Sequence, residues 1–234
     1  MIKGKDFNIF KIQASIFTPA LQFSQTQILG SLVNKFSTLF DGAPLSIPLP
    51  QDAPSDIPRL TLRDGNGRIK FEIALSRANF FIFQKEEAII DGQEFFKLCL
   101  PIFEEYIKLS NAKVGRMAIV AVNILKQEAP GLIIAQHFCK DRWFSNAAPP
   151  ENFEVHFHKK CEFSGFNVNN WFRCKSGFLV KDKAKVIIVE EDINTLAEDL
   201  AAKDFDLSKI TNFLRDSFKK QRELLETYFP NNEE

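Results

Sequence analysis

The chain has 234 residues, with 30 Lys and Arg set against 30 Asp and Glu, so its formal net charge at pH 7 is zero. That balance excludes phosphate binding by bulk positive charge, and any nucleic-acid or membrane contact needs a local patch. Apolar residues make up 45%, with 25 Phe among them, which is enough for a real core.

No window approaches the roughly 18 uninterrupted apolar residues of a membrane span. The N-terminal MIKGKDFNIF lacks the apolar h-region of a signal peptide. Cys99, Cys139, Cys161 and Cys174 are irregularly spaced, which makes no disulfide framework in a chain this long. These features predict a cytoplasmic protein with reduced thiols.

Phe10, Ile12, Ala14 and Ile16 alternate with Lys11, Gln13 and Ser15, predicting a strand over 7–17 that Pro19 ends. Ser24 and Gln27 form a capping box, and the apolar stripe from Ile28 to Phe40 predicts a helix closed by Asp41-Gly42. Residues 43–58 hold Pro44, Pro48, Pro50, Pro54 and Pro58 and read as an extended surface connection. The stretch RLTLRDGNGRIKFEIALSRANFFIF, Arg59 to Phe83, then predicts a three-stranded meander over 58–64, 67–76 and 79–84. Its Asp64-Gly65-Asn66-Gly67 turn tolerates the positive φ of a tight hairpin. Asp91 offers a cap for a helix from Phe95 to Ile107, with Pro101 expected to kink or split it and Asn111 to stop it.

Residues 113–125, KVGRMAIVAVNIL, form a β-branched apolar run that predicts a central strand buried on both faces. A short helix is expected within 131–143, and a loop at Ala147-Ala148-Pro149-Pro150. Strands are expected from Phe153 to His158, over 170–180 and over 184–190, then a short helix over 195–202. Asp206 caps a last helix, with Leu207, Ile210, Leu214, Phe218, Leu225 and Tyr228 near one stripe.

Each half, about 7–110 and 113–230, reads β-α-β-β-β-α. The predicted class is therefore α+β: a single domain of two pseudo-repeated halves forming a largely antiparallel sheet backed by helices.

On these elements the chain resembles an uncharacterised, sporadically distributed bacterial family of about this length. The likeness is carried by RMAIVAVNIL (Arg116 to Leu125), VIIVEEDIN (Val186 to Asn194) and the closing LSKITNFLRDSFKKQRELLETYF. The resemblance implies an Arg before the central strand and an Asn at its end, matched by Arg116 and Asn123, and an acidic pair matched by Glu191-Asp192. It brings no catalytic residues. Its sporadic occurrence implies genes in mobile or antiviral-defence loci. The doubled layout also resembles the duplicated TATA-binding-protein fold, from which this chain departs in having no net positive charge.

All three His and three of the four Cys fall between 137 and 174. His156 and His158 project from one face of their strand, and with His137 and Cys139 they make a candidate metal set for a hydrolase. No Cys-x-x-Cys is present, and the alternation that exposes His156 and His158 also explains them as a solvent face. His137 and Cys139 as base and nucleophile lack the third, orienting group that such a pair needs. Arg59, Arg63, Arg68 and Lys70 of the meander are candidates for a nucleic-acid or nucleotide face, and equally for a plain wet side of a sheet. Arg142, Trp143, Phe144, Trp171, Phe172 and Arg173 are candidate contacts for a protein partner, since Trp and Arg are enriched at interface hot spots. No GxxxxGK[ST] or GxGxxG occurs. The expectation is a non-catalytic interaction or regulatory protein without a cofactor, with nucleic-acid binding and metal-dependent hydrolysis as alternatives.

Overall fold

A computed structural model describes residues 2–19, 21, 23–50, 52–85, 90–139 and 149–231. Their strands form one nine-stranded antiparallel sheet. In chain order they are β1 (Asn8–Phe17), β2 (Leu45–Ser46), β3 (Leu60–Arg63), β4 (Ile69–Ile73), β5 (Arg77–Phe83), β6 (Arg116–Lys126), β7 (Glu154–Phe163), β8 (Phe166–Phe178) and β9 (Lys185–Thr195). The helices are α1 (Gln25–Lys35), α2 (Gly92–Ser110), α3 (Pro130–Phe138), α4 (Asp199–Ala202) and α5 (Leu207–Tyr228), with a single 3-10 turn at Gly4–Asp6. Across the sheet the order is β2-β3-β4-β5-β1-β6-β9-β8-β7, so the antiparallel β1–β6 pair stands inside it. None of the described helices is long and apolar enough to cross a membrane.

Period-two alternation decides which side of each strand is core. Ile12, Ala14 and Ile16 of β1 stand beside Ile82, Phe80 and Ala78 of β5 on one side, and beside Ala121, Ile119 and Met117 of β6 on the other. Ile69, Phe71 and Ile73 of β4 extend that face outward, and all of these residues are buried. The helices α1, α2 and α5 contribute Ile28, Leu32, Phe95, Ile102, Phe103, Ile210, Phe213 and Leu214 to the same core. Phe71 meets Phe103 and Tyr106 with ring centroids 6.1 Å away in each case, and Phe80 meets Phe95 at 5.6 Å. Each such ring taken fully out of water contributes about 2–3 kcal/mol. A second cluster joins Ile134 of α3, Phe172 and Cys174 of β8, Ile187 and Val189 of β9, Leu225 of α5 and Phe229. Thus α1, α2, α3 and α5 all pack on one face of the sheet, and none of these four reaches the other.

The helix starts follow their caps. Ser24 Oγ accepts from Gln27 N, Asp91 accepts from Gln93 N and Glu94 N, and Asp206 Oδ1 accepts from Lys209 N. Asn111 ends α2 in the left-handed conformation at φ 51° and ψ 38°.

Four expectations need correction. The first helix stops at Lys35, because Phe36 leaves helical geometry and Phe40 turns in to the core. Gly42 then belongs to the sheet edge, where a Cβ would lie 2.9 Å from Arg63 O. Pro101 does not split α2, which runs continuously with that residue exposed. The Pro-rich connection contains a strand, β2, that pairs with β3. The strand begun near Phe153 continues to Phe163 and turns at Ser164 and Gly165, both at positive φ, straight into β8.

Candidate functional site

The face opposite these helices, uncovered in the sense that none of them packs on it, can be read row by row, because the strand registers fix which side chains stand in line. At its centre Ser15, Asn79, Phe81, Ala118, Val122 and Asn194 are all buried. One row runs Arg63, Lys70, Phe81, Gln13, Val120, Asp192, Trp171, His158. The next runs Thr61, Glu72, Asn79, Ser15, Ala118, Asn194, Asn169, Lys160. On the far side of the first lies Phe83, Lys11, Val122, Glu190, Arg173, His156.

The centre of this face is tied together by amides and hydroxyls. Gln13 Nε2 donates to Ser15 Oγ at 3.1 Å, and Ser15 Oγ donates to Asn79 Oδ1 at 2.7 Å. Arg116, over the ring of Phe17, donates through Nη2 to Asn194 Oδ1 at 2.9 Å and through Nε to Thr195 O. Asn194 Oδ1 also accepts from Asn169 Nδ2, and Asn194 Nδ2 donates to Asp192. Burial pushes the Asp192 carboxyl up, opposed by the Asn194 hydrogen bond and by Arg116. The chain of contacts ends at the rim, where His158 Nε2 donates to Asn169 Oδ1 at 3.0 Å.

Trp171 is 44% exposed and stacks on His158 with centroids 4.2 Å apart. Arg173 stands beside it, held 3.0 Å from Glu154 and 3.7 Å from Glu190. The β4–β5 side carries a second aromatic pair, Phe81 stacked on Phe83 at 5.8 Å with Lys70 Nζ 4.4 Å from the Phe81 centroid. Burial lowers the pKa of Lys11, which stands beside Phe83.

The structure divides the residues expected to act together. Of the partner-contact set, Trp171 and Arg173 are on the uncovered face. Phe172 points the other way into the core at 1% exposure, against Phe157, Tyr228 and Phe138. Arg142, Trp143 and Phe144 lie outside the described residues. Of the four meander cations, Arg63 and Lys70 face the open side. Arg68 is instead forked onto Glu94 of α2 by two hydrogen bonds of 2.8 Å, and Arg59 is buried.

The metal set also separates. His156 and His158 lie on the uncovered face. His137 lies on the helix side, where Nε2 donates to Tyr228 O at 2.7 Å and the ring stacks on Phe229. Cys139 caps the same helix, α3, as His137. Among the described residues no three His, Cys, Asp or Glu are grouped to hold an ion. Cys99 and Cys174 are buried thiols whose pKa burial pushes up, that of Cys174 to about 12, so neither is an activated nucleophile. A cleft of about 550 Å³ between the β7–β8 hairpin and α4–α5 mixes Asp199 and Asp216 with Lys203 and Lys209, and Asp216 is taken by Ser164.

The acidic pair splits in the same way. Asp192 is on the uncovered face, whereas Glu191 points under α5 at 1% exposure with neither carboxylate oxygen hydrogen-bonded among the described residues. Above it Gln221 of α5 donates from Nε2 to both Ile119 O and Glu191 O, at 3.0 and 2.7 Å, pinning the helix across β6 and β9. Sequence reading missed this clamp and the Asn169–Asn194 link. Strand periodicity shows which residues share a face, and it does not show which amides meet across strands.

No family model matches the chain, no curated protein is significantly similar to it, and no solved structure matches it significantly.

Proposed function

We propose that this protein is a non-catalytic docking component whose uncovered sheet face receives a protein partner. The observation that carries the proposal is Trp171, a large aromatic held 44% exposed by its stack on His158 and ringed by Asn169, Arg173 and Asp192. A Trp beside an Arg on a rigid sheet is the kind of anchor that dominates binding energy at interfaces. Glu190 and Asp192 stand in the middle of the face, and Glu154 and Glu162 stand on its rim. They oppose a phosphate backbone laid along it and suit a protein surface of mixed charge.

The order of elements supports a finer reading, in which the platform is a doubled β-α-β-β-β-α unit of the TATA-binding-protein type. Counted outward from the β1–β6 pair, one side runs β5, β4, β3 and the other β9, β8, β7. In this proposal the protein serves as a cytoplasmic regulatory component, and the bacterial-family resemblance would place its gene in mobile or antiviral-defence loci.

Co-purification from the native host tests the docking role. The expected result is a defined partner at fixed stoichiometry, lost with Trp171→Ala and weakened with Trp143→Ala. A Trp171→Ala protein that retains the partner at full occupancy would remove the uncovered face from the account.

A further inference from the structure

We propose that Arg59 and Arg77 form a binding site for a phosphate-bearing anion at one end of the uncovered face. Arg59 precedes β3 on the same side as Thr61 and Arg63. Its backbone N donates to Ile73 O, which sets it beside Ala74, and Ala74 N donates to Arg77 O. Arg59, Ala74 and Arg77 therefore cross the sheet in line. At about 4.8 Å per strand the two arginines stand about 10 Å apart at Cα, with Ala74, buried beside the strap of residues 47–58, between them.

Their electrostatics are incomplete. A guanidinium keeps its charge at any accessible pH. Arg59 is 4% exposed, yet among the described residues its side chain makes one hydrogen bond, from Nη1 to Leu49 O at 3.3 Å. Its Nε and Nη2, and Nε of Arg77, have no partner among the described residues. The only carboxylate in ion-pair reach of either, among the described residues, is Asp56, 3.6 Å from Arg77 Nη2. A buried charge left unpaired is strongly unfavourable, so an anion held between the two guanidinium groups would relieve it.

The geometry favours a tetrahedral oxyanion. A planar carboxylate offers one edge to one guanidinium fork, whereas a phosphate has oxygens enough for two forks at once. Asp56, with its side chain 59% exposed on the strap of residues 47–58, occupies the Arg77 side and is the group a ligand displaces. The site is independent of the docking role, since it rests on a different row of the face from Trp171.

The test is thermal denaturation of the full-length protein titrated with inorganic phosphate, with chloride adjusted to hold ionic strength constant. A saturable rise in melting temperature is expected. Arg77→Gln should weaken the apparent affinity at least ten-fold, Asp56→Asn should tighten it several-fold, and Trp171→Ala should leave it unchanged. Arg77 rather than Arg59 carries the test, because its side chain is 35% exposed whereas Arg59 is buried. A wild-type protein that shows no saturable rise overturns the proposal. So does an Arg77→Gln variant with unchanged affinity, or an equal response to acetate.

Discussion

Replacing Glu191 by Gln should raise stability at neutral pH, and the gain should grow with pH. Glu191 sits under α5 with both carboxylate oxygens unpartnered among the described residues, and burial holds its carboxyl well above the usual range, with Arg222 opposing weakly. In the unfolded chain the group titrates near pH 4.3, roughly the value of an exposed Glu. Below that pH both states are protonated and the site contributes no pH dependence. Above it the unfolded state releases a proton that the folded state retains. Stability therefore falls as pH rises, until the folded-state carboxyl itself ionises. Within that window the slope is about 1.4 kcal/mol per pH unit. For a chain of this length that corresponds to a shift of about 3–6 °C in melting temperature per unit. Urea denaturation of wild type and Glu191→Gln at half-unit steps from pH 4 to pH 7 measures it. The two proteins should converge at the acid end and separate steadily above pH 4.5. A gap that stays constant across the series refutes the reasoning, because a buried carboxyl without partners must make stability depend on pH.

Neighbouring residues on opposite faces should respond very differently. Phe172→Ala should cost about 3–5 kcal/mol, since it empties the centre of the α3–β8–α5 core, whereas Trp171→Ala should cost about 1 kcal/mol or less; chemical denaturation reads both. Gly115→Ala should destabilise by about 2–3 kcal/mol, because a Cβ there would lie 2.0 Å from Leu200 O, a backbone atom that cannot step aside. Gln221→Leu should lower stability by about 1–3 kcal/mol, leaving Ile119 O and Glu191 O without their donor, and should speed hydrogen exchange across α5 before the sheet opens.

The sheet was legible because its strands alternate cleanly. The runs around Ile12, Phe71 and Val120 name their own buried faces, and Ser24, Asp91 and Asp206 mark three helix starts that the structure keeps. Where alternation fails, so does the reading. His158 to Glu162 is a polar run without an apolar beat, because an edge strand wets its outer residues, and the end of β7 and its turn at Gly165 went unseen. The two-residue β2 is too short to carry a period. The candidate site was half legible. Parity places His156, His158, Trp171 and Arg173 together. The same parity separates Phe172 from Trp171 and Glu191 from Asp192, although each pair is adjacent in sequence. Arg59 was expected to line an open face. Its burial beneath the strap depends on where a proline-rich loop returns, and no local pattern encodes that.

The claim that the uncovered face is where a partner docks is tested most directly by site-specific photocrosslinking in the native host. Single crosslinking residues would be placed at Trp171 and Arg173 on that face, and at Lys97 and Glu226 on the exposed backs of α2 and α5. Adducts of one common mass from positions 171 and 173, and none from 97 and 226, are the expected result. Adducts confined to the helical side, or absent from position 171, would contradict it.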